Sequence, residues 1–295
     1  MATVFSFRKM NGLGNDFLVL DARAGVPRLT PAEIAALADR ETGIGFDQMI
    51  TLETSPAGAD VFMRIDNADG GEVSACGNAT RCIGWLVMGE TGRDAATIET
   101  RAGLLRAFAT GEAQRVTVDM GVPRLEWQEI PLAEPFADTR AIELQIGPID
   151  APILHSPACV NMGNPHAIFF VDDVDRFDLA AIGPMLENHP IFPERANISL
   201  VHVTSRSSLT QRVWERGAGL TLACGTGACA AAVAAARTGR TGRRVAVTLP
   251  GGVLDIDWRD DDHVMMTGAV STDFTGTIER ETLTVHRDGA RGAAA

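Results

Sequence analysis

The sequence predicts an α+β fold of two similar domains, each a curled β-sheet or barrel around a central buried helix. Three observations support this class. Short β-type runs recur through both halves of the chain. Two helical segments are apolar or small on every face, which is typical of helices that are fully enclosed. Both of these helices begin with the same short pattern, half a chain apart.

The β-type runs are short and separated by turn residues. In the first half they cover residues 5–10, 16–20, 48–53, 61–66 and 104–120, the last interrupted by a turn around Gly111. In the second half they cover residues 141–146, 167–171, 198–203, 210–215 and 245–258, the last turning at Pro250-Gly251-Gly252. Each half is therefore expected to build its own sheet.

Four helices are expected. Thr30 and Glu33 read as a capping box with Pro31 at the first helical position, which predicts a helix to about Arg40. A second helix is predicted near residues 179–188. The two enclosed helices are predicted over residues 77–88 and 225–238, one in each strand-rich half.

The domain boundary is placed in the proline-rich stretch at residues 123–135. The first domain is predicted to span residues 1–121, with residues 271–287 returning to it, and the second residues 122–270. Residues 288–295, rich in Ala, Gly and Arg, are expected to form a disordered tail.

Composition narrows the classes of partner. The chain has 295 residues, 38 acidic against 26 basic, and a net charge of −12, which gives no footprint for nucleic acid or anionic membranes. A small-molecule partner is expected. The N-terminus lacks secretory features and no apolar run approaches a membrane span, so a cytoplasmic location is predicted. Five cysteines, an odd and sparse set, indicate reduced thiols.

Two of those cysteines stand in matching contexts. Ala75-Cys76-Gly77-Asn78 and Ala223-Cys224-Gly225-Thr226 share an Ala-Cys-Gly-polar pattern at the head of the two enclosed helices, 148 positions apart. With the matching helices and the half-chain period, this echo indicates a duplicated domain.

A cysteine at a helix N-terminus lies near unpaired backbone N–H groups and the positive end of the helix dipole, which favour thiolate and bind anions. Gly77 and Gly225 leave room for a substrate carboxylate to approach that backbone. Two such helices facing each other across a domain cleft would suit two-base racemisation, in which a thiolate removes an α-proton and the opposite thiol delivers one. Such a reaction would need no cofactor.

Alternatively, both cysteines are ordinary core residues with no catalytic role, and for a lone Cys-Gly this would be the better interpretation. The paired context favours the catalytic one. For Cys82, Cys159 and Cys229 the core interpretation is kept, since two of them lie within the helices and Cys159 has no helix-start context.

Rival classes of protein fit the motifs less well. Gly12-Leu13-Gly14 and Gly225-Thr226-Gly227 could suggest phosphate loops, but neither completes a dinucleotide fingerprint or a P-loop, so a nucleotide-binding protein is disfavoured. A redox or zinc protein is disfavoured because the cysteines form no Cys-x-x-Cys motif, and no metal is expected.

The order of motifs along the chain resembles the diaminopimelate epimerase family. The motifs are Lys9-Met10-Asn11-Gly12-Leu13-Gly14-Asn15-Asp16-Phe17, Gly45-Phe46-Asp47-Gln48, Asn67-Ala68-Asp69-Gly70, Cys76-Gly77-Asn78, Met162-Gly163-Asn164-Pro165-His166, Pro193-Glu194-Arg195-Ala196-Asn197, Glu215-Arg216-Gly217 and Ala223-Cys224-Gly225-Thr226-Gly227-Ala228. Asn11, Leu220 and Ala79-Thr80 depart from the residues commoner in the family.

The resemblance implies an enzyme that interconverts LL- and meso-diaminopimelate without a cofactor, in lysine and peptidoglycan precursor synthesis, and a homodimer. Cys76 and Cys224 become the acid/base pair, and His166 supports the site. The resemblance places substrate contacts at Asn15, Gln48, Asn67, Asn164, Asn197, Glu215 and Arg216, and backbone contacts to the reacting carboxylate at Gly77, Asn78, Gly225 and Thr226.

The charged groups of diaminopimelate match the residue types at these positions. Diaminopimelate carries two ammonium and two carboxylate groups, which amides, Glu215 and Arg216 can bind, with Arg216 on the non-reacting carboxylate. The alternative within the same superfamily is a proline or hydroxyproline racemase, which would need no site for a distal carboxylate.

Overall fold

The computed structural model describes residues 4–25, 28–74 and 76–288. Its strands are β1 (Val4–Gly12), β2 (Asn15–Asp21), β3 (Gln48–Glu53), β4 (Val61–Asn67), β5 (Glu72–Val73), β6 (Ala95–Thr100), β7 (Gly103–Ala109), β8 (Arg115–Asp119), β9 (Gln145–Ile146), β10 (Leu154–His155), β11 (Ala158–Asn161), β12 (Pro165–Phe170), β13 (Asn197–Ser205), β14 (Ser208–Glu215), β15 (Gly219–Leu220), β16 (Arg244–Leu249), β17 (Gly252–Trp258), β18 (Val264–Ala269), β19 (Ser271–Glu279) and β20 (Thr284–Arg287). Its helices are α1 (Pro31–Ala38), α2 (Gly77–Thr91), α3 (Leu179–Glu187) and α4 (Gly225–Arg237).

The described residues divide into two compact units. Unit 1 runs up to Val118 and resumes at Gly268, and unit 2 runs from Asp119 to Thr267. Each unit contains one long helix and one short helix among its strands. This confirms the predicted α+β class with two similar units.

Unit 1 is built on a sheet of mixed direction. Strand β1 pairs antiparallel with β2 and β19, and β19 pairs with β20. Strand β2 runs parallel to β3 through the crossover that contains α1. Strand β3 pairs antiparallel with β4, which pairs antiparallel with β5 and parallel with β6 across α2. Strands β6 and β7 form an antiparallel pair.

Unit 2 repeats that order of pairings. Strands β11 and β12 are antiparallel, and β12 and β13 are parallel across α3. Strand β14 is antiparallel to β13 and β15 and parallel to β16 across α4, and β16 is antiparallel to β17. Because the sequence of directions is the same from β1 to β7 and from β11 to β17, the topology supports the duplication suggested by the cysteine echo.

The long helices are enclosed because their faces carry small or apolar residues. Helix α4 packs against β11, β12, β13, β14, β16 and β17, and a run of alanines from Ala230 keeps it thin enough to fit among them. Helix α2 packs against β1, β6 and β7. A Cβ added at Gly84 would collide with Ala107 of β7, so this close approach requires glycine.

The short helices cover other core clusters. The capping box of α1 is present, since the Thr30 side chain accepts from the Glu33 N–H and the Glu33 side chain accepts from the Thr30 N–H. Ile34 and Leu37 of α1 are buried in a cluster with residues of β1, β2 and β3. In unit 2, Leu179 and Leu186 of α3 join the corresponding cluster with β12 and β13.

Several predicted boundaries need correction. The helix expected to reach Arg40 ends at Ala38, and the one expected over residues 77–88 continues to Thr91. Residues 141–146 are not one strand: only Gln145–Ile146 is, because the Ile142 N–H turns to the Pro157 carbonyl. The predicted tail begins at Asp288, which bonds to Thr275, while residues 289–295 lie outside the described part.

Among the helices of residues 4–25, 28–74 and 76–288, none combines the length and apolar character needed to cross a bilayer.

Candidate active site

Asn15 and Asn164 lie at equivalent hairpins, where the first two paired strands of each unit meet. In unit 1, Leu13 and Gly14 have φ angles of 61° and 82°, so they form a two-residue turn that directs β1 into β2. In unit 2 the loop between β11 and β12 contains Gly163, with φ of 95°, and places Asn164 directly before β12. Each asparagine therefore occupies a position fixed by a tight turn.

Cys76 is the N-cap residue of α2, in an extended backbone conformation. Its sulfur donates to Asn15 Oδ1 at 3.8 Å, and the Asn78 Nδ2 donates to the same oxygen at 3.5 Å. The first helical turn, which starts at Gly77, directs its backbone N–H groups toward this corner. This corner thus combines a thiol, an amide oxygen and the positive end of a helix dipole.

The orientation of the Asn15 amide is set by Asp47. Asn15 Nδ2 donates to Asp47 Oδ2 at 2.9 Å, and the N–H of Asp16 donates to the same oxygen at 2.8 Å. A carboxylate only accepts hydrogen bonds, so the amide nitrogen faces Asp47 and the amide oxygen faces Cys76. Arg40 holds the other carboxylate oxygen of Asp47 at 2.7 Å.

The Asn78 amide is oriented in a similar way by Arg81, one turn further along α2. Arg81 is fully buried, and its Nη1 donates to Asn78 Oδ1 at 2.9 Å. The Asn78 nitrogen is therefore the end that turns toward Asn15.

Gln48 and Asn67 are opposite each other on β3 and β4. Gln48 Nε2 donates to Asn67 Oδ1 at 3.0 Å. The Gln48 Oε1 is buried and has no hydrogen-bond partner among the residues that the structure describes. This acceptor is suited to a ligand ammonium group.

Cys224 is the N-cap residue of α4. Its sulfur accepts from the Gly227 N–H at 3.4 Å and lies 3.5 Å from the Thr226 hydroxyl. Burial raises the pKa of the Cys224 thiol well above its usual 9.0, and the carboxylate of Glu215 raises it further. Without a ligand, this thiol is protonated near neutral pH.

Glu215 ends β14 beside that thiol. The Thr221 hydroxyl donates to the Glu215 Oε1 at 2.5 Å, and the Glu215 carboxylate is near enough to the Cys224 thiol to raise the pKa of that thiol. Burial raises the pKa of Glu215 above its usual value. Unit 2 therefore places an acidic side chain near the candidate catalytic thiol.

His166 is completely buried, and its Nε2 lies 2.8 Å from Asn164 Oδ1. Burial, with a smaller contribution from Arg216, lowers the pKa of His166 to about 3. The imidazole is therefore neutral at physiological pH, and it is placed to hold the Asn164 amide.

Asn197 connects two segments of unit 2. Its Nδ2 donates to the Pro165 carbonyl at 2.9 Å, and its Oδ1 accepts from the Arg216 N–H at 3.0 Å. The Arg216 guanidinium donates through Nη1 to the Glu194 carbonyl at 2.8 Å. An arginine held by one carbonyl has further N–H groups with which to bind a carboxylate.

Each candidate site residue of unit 1 has an equivalent in unit 2 when the strand registers of the two units are matched. Phe17 lies opposite Gln48 in unit 1, and His166 lies opposite Asn197 in unit 2. The equivalent pairs are Asn15 with Asn164, Gln48 with Asn197, Asn67 with Glu215, Cys76 with Cys224, Gly77 with Gly225 and Asn78 with Thr226.

The core interpretation of the other cysteines is confirmed. Cys82, Cys159 and Cys229 are fully buried, and burial raises the pKa of Cys82 and of Cys159 to about 12. Such thiols do not ionise near neutral pH.

Sequence reasoning gave no role to Asp47, Arg81 or Thr221. Asp47 lay inside a recognised motif, and Arg81 was a lone charge in an apolar helix three residues after Asn78, so both carried a usable signal. Thr221 carried none, because its contact depends on the turn that follows Glu215.

Comparison with known proteins identifies the family. The family model described as diaminopimelate epimerase matches residues 7–126 and 158–272. A curated diaminopimelate epimerase of Brucella anthropi is 56% identical, with 100% of both chains covered. Another, of Afipia carboxidovorans, is 56% identical and covers 93% of this chain and 95% of its own.

Solved structures share the fold at low sequence identity. A phenazine biosynthesis protein of the PhzF family from Bacillus anthracis has a TM-score of 0.64 at 17% identity, covering 94% of this chain and 99% of its own. A hydroxyproline epimerase from Agrobacterium vitis, solved with bound trans-4-hydroxy-L-proline, has a TM-score of 0.63 at 14% identity, covering 100% and 97%.

The family model covers most of the chain, and relatives named for one activity match it over its full length. The chain is therefore an epimerase that belongs to the diaminopimelate epimerase family.

Proposed function

We propose that this enzyme interconverts LL- and meso-2,6-diaminopimelate by two-base proton transfer, with Cys76 and Cys224 as the acid/base pair and no cofactor. The observation that carries the proposal is that both cysteines are N-cap residues of enclosed helices at equivalent positions of two repeated units. The relatives' printed name supplies the substrate.

One cysteine, as thiolate, takes the α-proton and becomes a thiol. The other, as thiol, gives its proton to the opposite face of the same carbon and becomes a thiolate. The α-carbon thus inverts with no net gain or loss of protons, and the two cysteines exchange protonation states. Helix N-termini favour the negative charge that develops on the reacting carboxylate.

The remaining site residues bind the substrate. We assign the backbone around Gly77, Asn78, Gly225 and Thr226 to the reacting carboxylate and Arg216 to the distal one. The ammonium groups of the substrate are assigned to hydrogen-bond acceptors such as Gln48 Oε1, which is buried and has no hydrogen-bond partner within the described residues. The other substrate contacts are Asn15, Asn67, Asn164, Asn197 and Glu215, with His166 as support.

We propose a cytoplasmic homodimer that acts on a small molecule in lysine and peptidoglycan precursor synthesis, with no nucleic-acid or membrane partner. The net charge of −12 supports this choice of partner.

Proton exchange in heavy water tests the proposal. LL-diaminopimelate is incubated with wild type, Cys76→Ser and Cys224→Ser, and the α-proton signals are followed by NMR. Wild type should incorporate deuterium at one α-carbon while forming the meso isomer, and both variants should lose most of that turnover. Cys229→Ala, which alters a core cysteine of the same helix as Cys224, is the control and should stay active.

Two results would overturn parts of the proposal. If wild type exchanges the α-proton of proline and not that of diaminopimelate, the substrate assignment fails while the thiol roles survive. If a serine variant retains wild-type exchange at both epimers, that cysteine is not an acid/base group.

A further inference from the structure

We propose that Glu187 is a positioning residue that holds the segment carrying Glu215 and Arg216 in its working conformation; this inference rests on the proposed function. Glu187 is the last residue of α3 and is only 5% exposed. Within the described residues, its hydrogen bonds go to no side chain that we propose to bind substrate, so its part in the reaction is indirect.

The carboxylate of Glu187 accepts three hydrogen bonds. Its Oε2 accepts from the Trp214 indole N–H at 2.7 Å. Its Oε1 accepts from the Gly217 N–H at 2.9 Å and from Arg195 Nη1 at 3.0 Å. A buried carboxylate is tolerated only when such donors replace its water, and here all three do so with good geometry.

Two of these donors lie next to proposed substrate-binding residues in the sequence. Trp214 and Gly217 directly flank Glu215 and Arg216, so one carboxylate fixes both ends of this two-residue segment. Between those ends, the Arg216 N–H is bonded to Asn197.

Glu187 also reaches the segment that precedes Asn197. Arg195 donates to its side chain, and the N–H of Ala196 donates to its main-chain carbonyl at 3.3 Å. Both segments that present candidate substrate contacts at this end of unit 2 are thereby joined to the end of one helix.

Packing keeps the indole donor aimed at Glu187. Gly183 lies one turn earlier on α3, and a Cβ there would come within 2.5 Å of the Trp214 ring. The ring therefore packs closely against the helix at Gly183, which limits the directions in which its N–H can point.

The change Glu187→Gln keeps the shape of the side chain but replaces one carboxylate oxygen, which accepts hydrogen bonds, with an NH₂ group, which donates them. The amide oxygen can still accept, but its NH₂ must face either the Trp214 N–H or the donors Gly217 and Arg195. Two donors facing each other in a buried place expel one partner, so the segment should shift. Removing the indole N–H in Trp214→Phe would let the amide nitrogen face that side harmlessly.

The test measures kinetics with LL-diaminopimelate and backbone hydrogen exchange in Glu187→Gln, Trp214→Phe and the double variant. Glu187→Gln should raise KM at least tenfold with a smaller fall in kcat, because Arg216 binds a group that does not react. The Gly217 amide should exchange faster. The double variant should recover part of kcat/KM. Glu134→Gln, an exposed change in the same unit, should match wild type.

The outcomes separate positioning from simple stabilisation. If Glu187→Gln lowers the melting temperature but leaves KM, kcat and Gly217 exchange unchanged, or if adding Trp214→Phe to Glu187→Gln gives no recovery of kcat/KM, the proposal is wrong. If wild type fails to turn over diaminopimelate, the proposed function fails, whereas faster Gly217 exchange in Glu187→Gln would still show that Glu187 holds the segment.

Discussion

Asn67 and Glu215 occupy equivalent positions in the two units, each nine residues before the helix-capping cysteine of its own unit. Asn67 is neutral and accepts from Gln48, whereas Glu215 has a carboxyl group whose charge raises the pKa of the Cys224 thiol. At this repeated position unit 1 therefore has an amide and unit 2 an ionisable carboxyl group.

Glu215→Gln should make Cys224 easier to ionise. The Glu215 carboxylate is the second cause, after burial, of the raised pKa of Cys224, so removing its charge moves that pKa down. The rate of Cys224 alkylation by iodoacetamide at pH 8, read by mass spectrometry, should rise because the thiolate fraction grows about tenfold whenever the thiol pKa falls by one. An unchanged or slower rate, with the exposed variant Glu134→Gln as reference, would contradict this.

Gly227→Ala should impair catalysis without unfolding the protein. A Cβ at this helical position would lie 3.2 Å from both the sulfur and the Cβ of Cys224, which pushes the thiol out of place. We expect a fall in kcat of about tenfold or more, since small misplacements of catalytic groups are costly. Turnover of LL-diaminopimelate measures it.

Gly89→Ala provides the matched control for that change. Gly89 lies in α2, and nothing surrounds the position that its Cβ would take. Alanine should therefore raise the free energy of unfolding by about 0.5–1 kcal/mol and leave turnover unchanged. Equal kinetic losses in both variants would show that crowding of Cys224 is not the cause.

Periodicity and turn chemistry were enough to predict the enclosed helices, because their composition leaves no polar face. Helix α4 was expected over residues 225–238 and ends at Arg237. The capping box of α1 was likewise visible from Thr30 and Glu33, since its bonds are local. The duplication of the domain was then predicted from the sequence pattern shared around Cys76 and Cys224.

Contacts between residues distant in sequence could not be predicted from local patterns. Strand β11 and the strands from Val264 onward had no predicted counterpart, because the pairing of runs that mix polar and apolar residues is set by their partners across the sheet. Glu187 appeared only as the end of a predicted helix. Its role depends on Trp214 and Gly217, 27 and 30 residues away in sequence, which no local pattern brings together.

Asp47→Ala should release the Asn15 amide. The carboxylate is what forces the Asn15 oxygen toward Cys76, so without it the amide can turn its nitrogen to the sulfur. We expect kcat/KM to fall about tenfold, the usual cost of a lost hydrogen bond to a charged group. Asp47→Asn keeps an oxygen for Asn15 and should stay within about threefold of wild type. Equal losses in both variants would instead indicate that the ion pair with Arg40 is what matters.

His166→Phe should make the fold more resistant to acid. Folded His166 has a pKa of about 3 against 6.5 for an exposed histidine, so between these values the unfolded chain binds a proton that the folded chain excludes. The free energy of unfolding therefore falls by about 1.4 kcal/mol per pH unit below pH 6.5, and this loss is absent above it. Phenylalanine cannot bind the proton, and Phe17 already fills the equivalent buried position of unit 1. Acid titrations followed by circular dichroism should show the midpoint of His166→Phe at lower pH, whereas the exposed variant His155→Gln should leave it unchanged. A midpoint that stays at the wild-type pH in His166→Phe would mean that other groups govern acid unfolding.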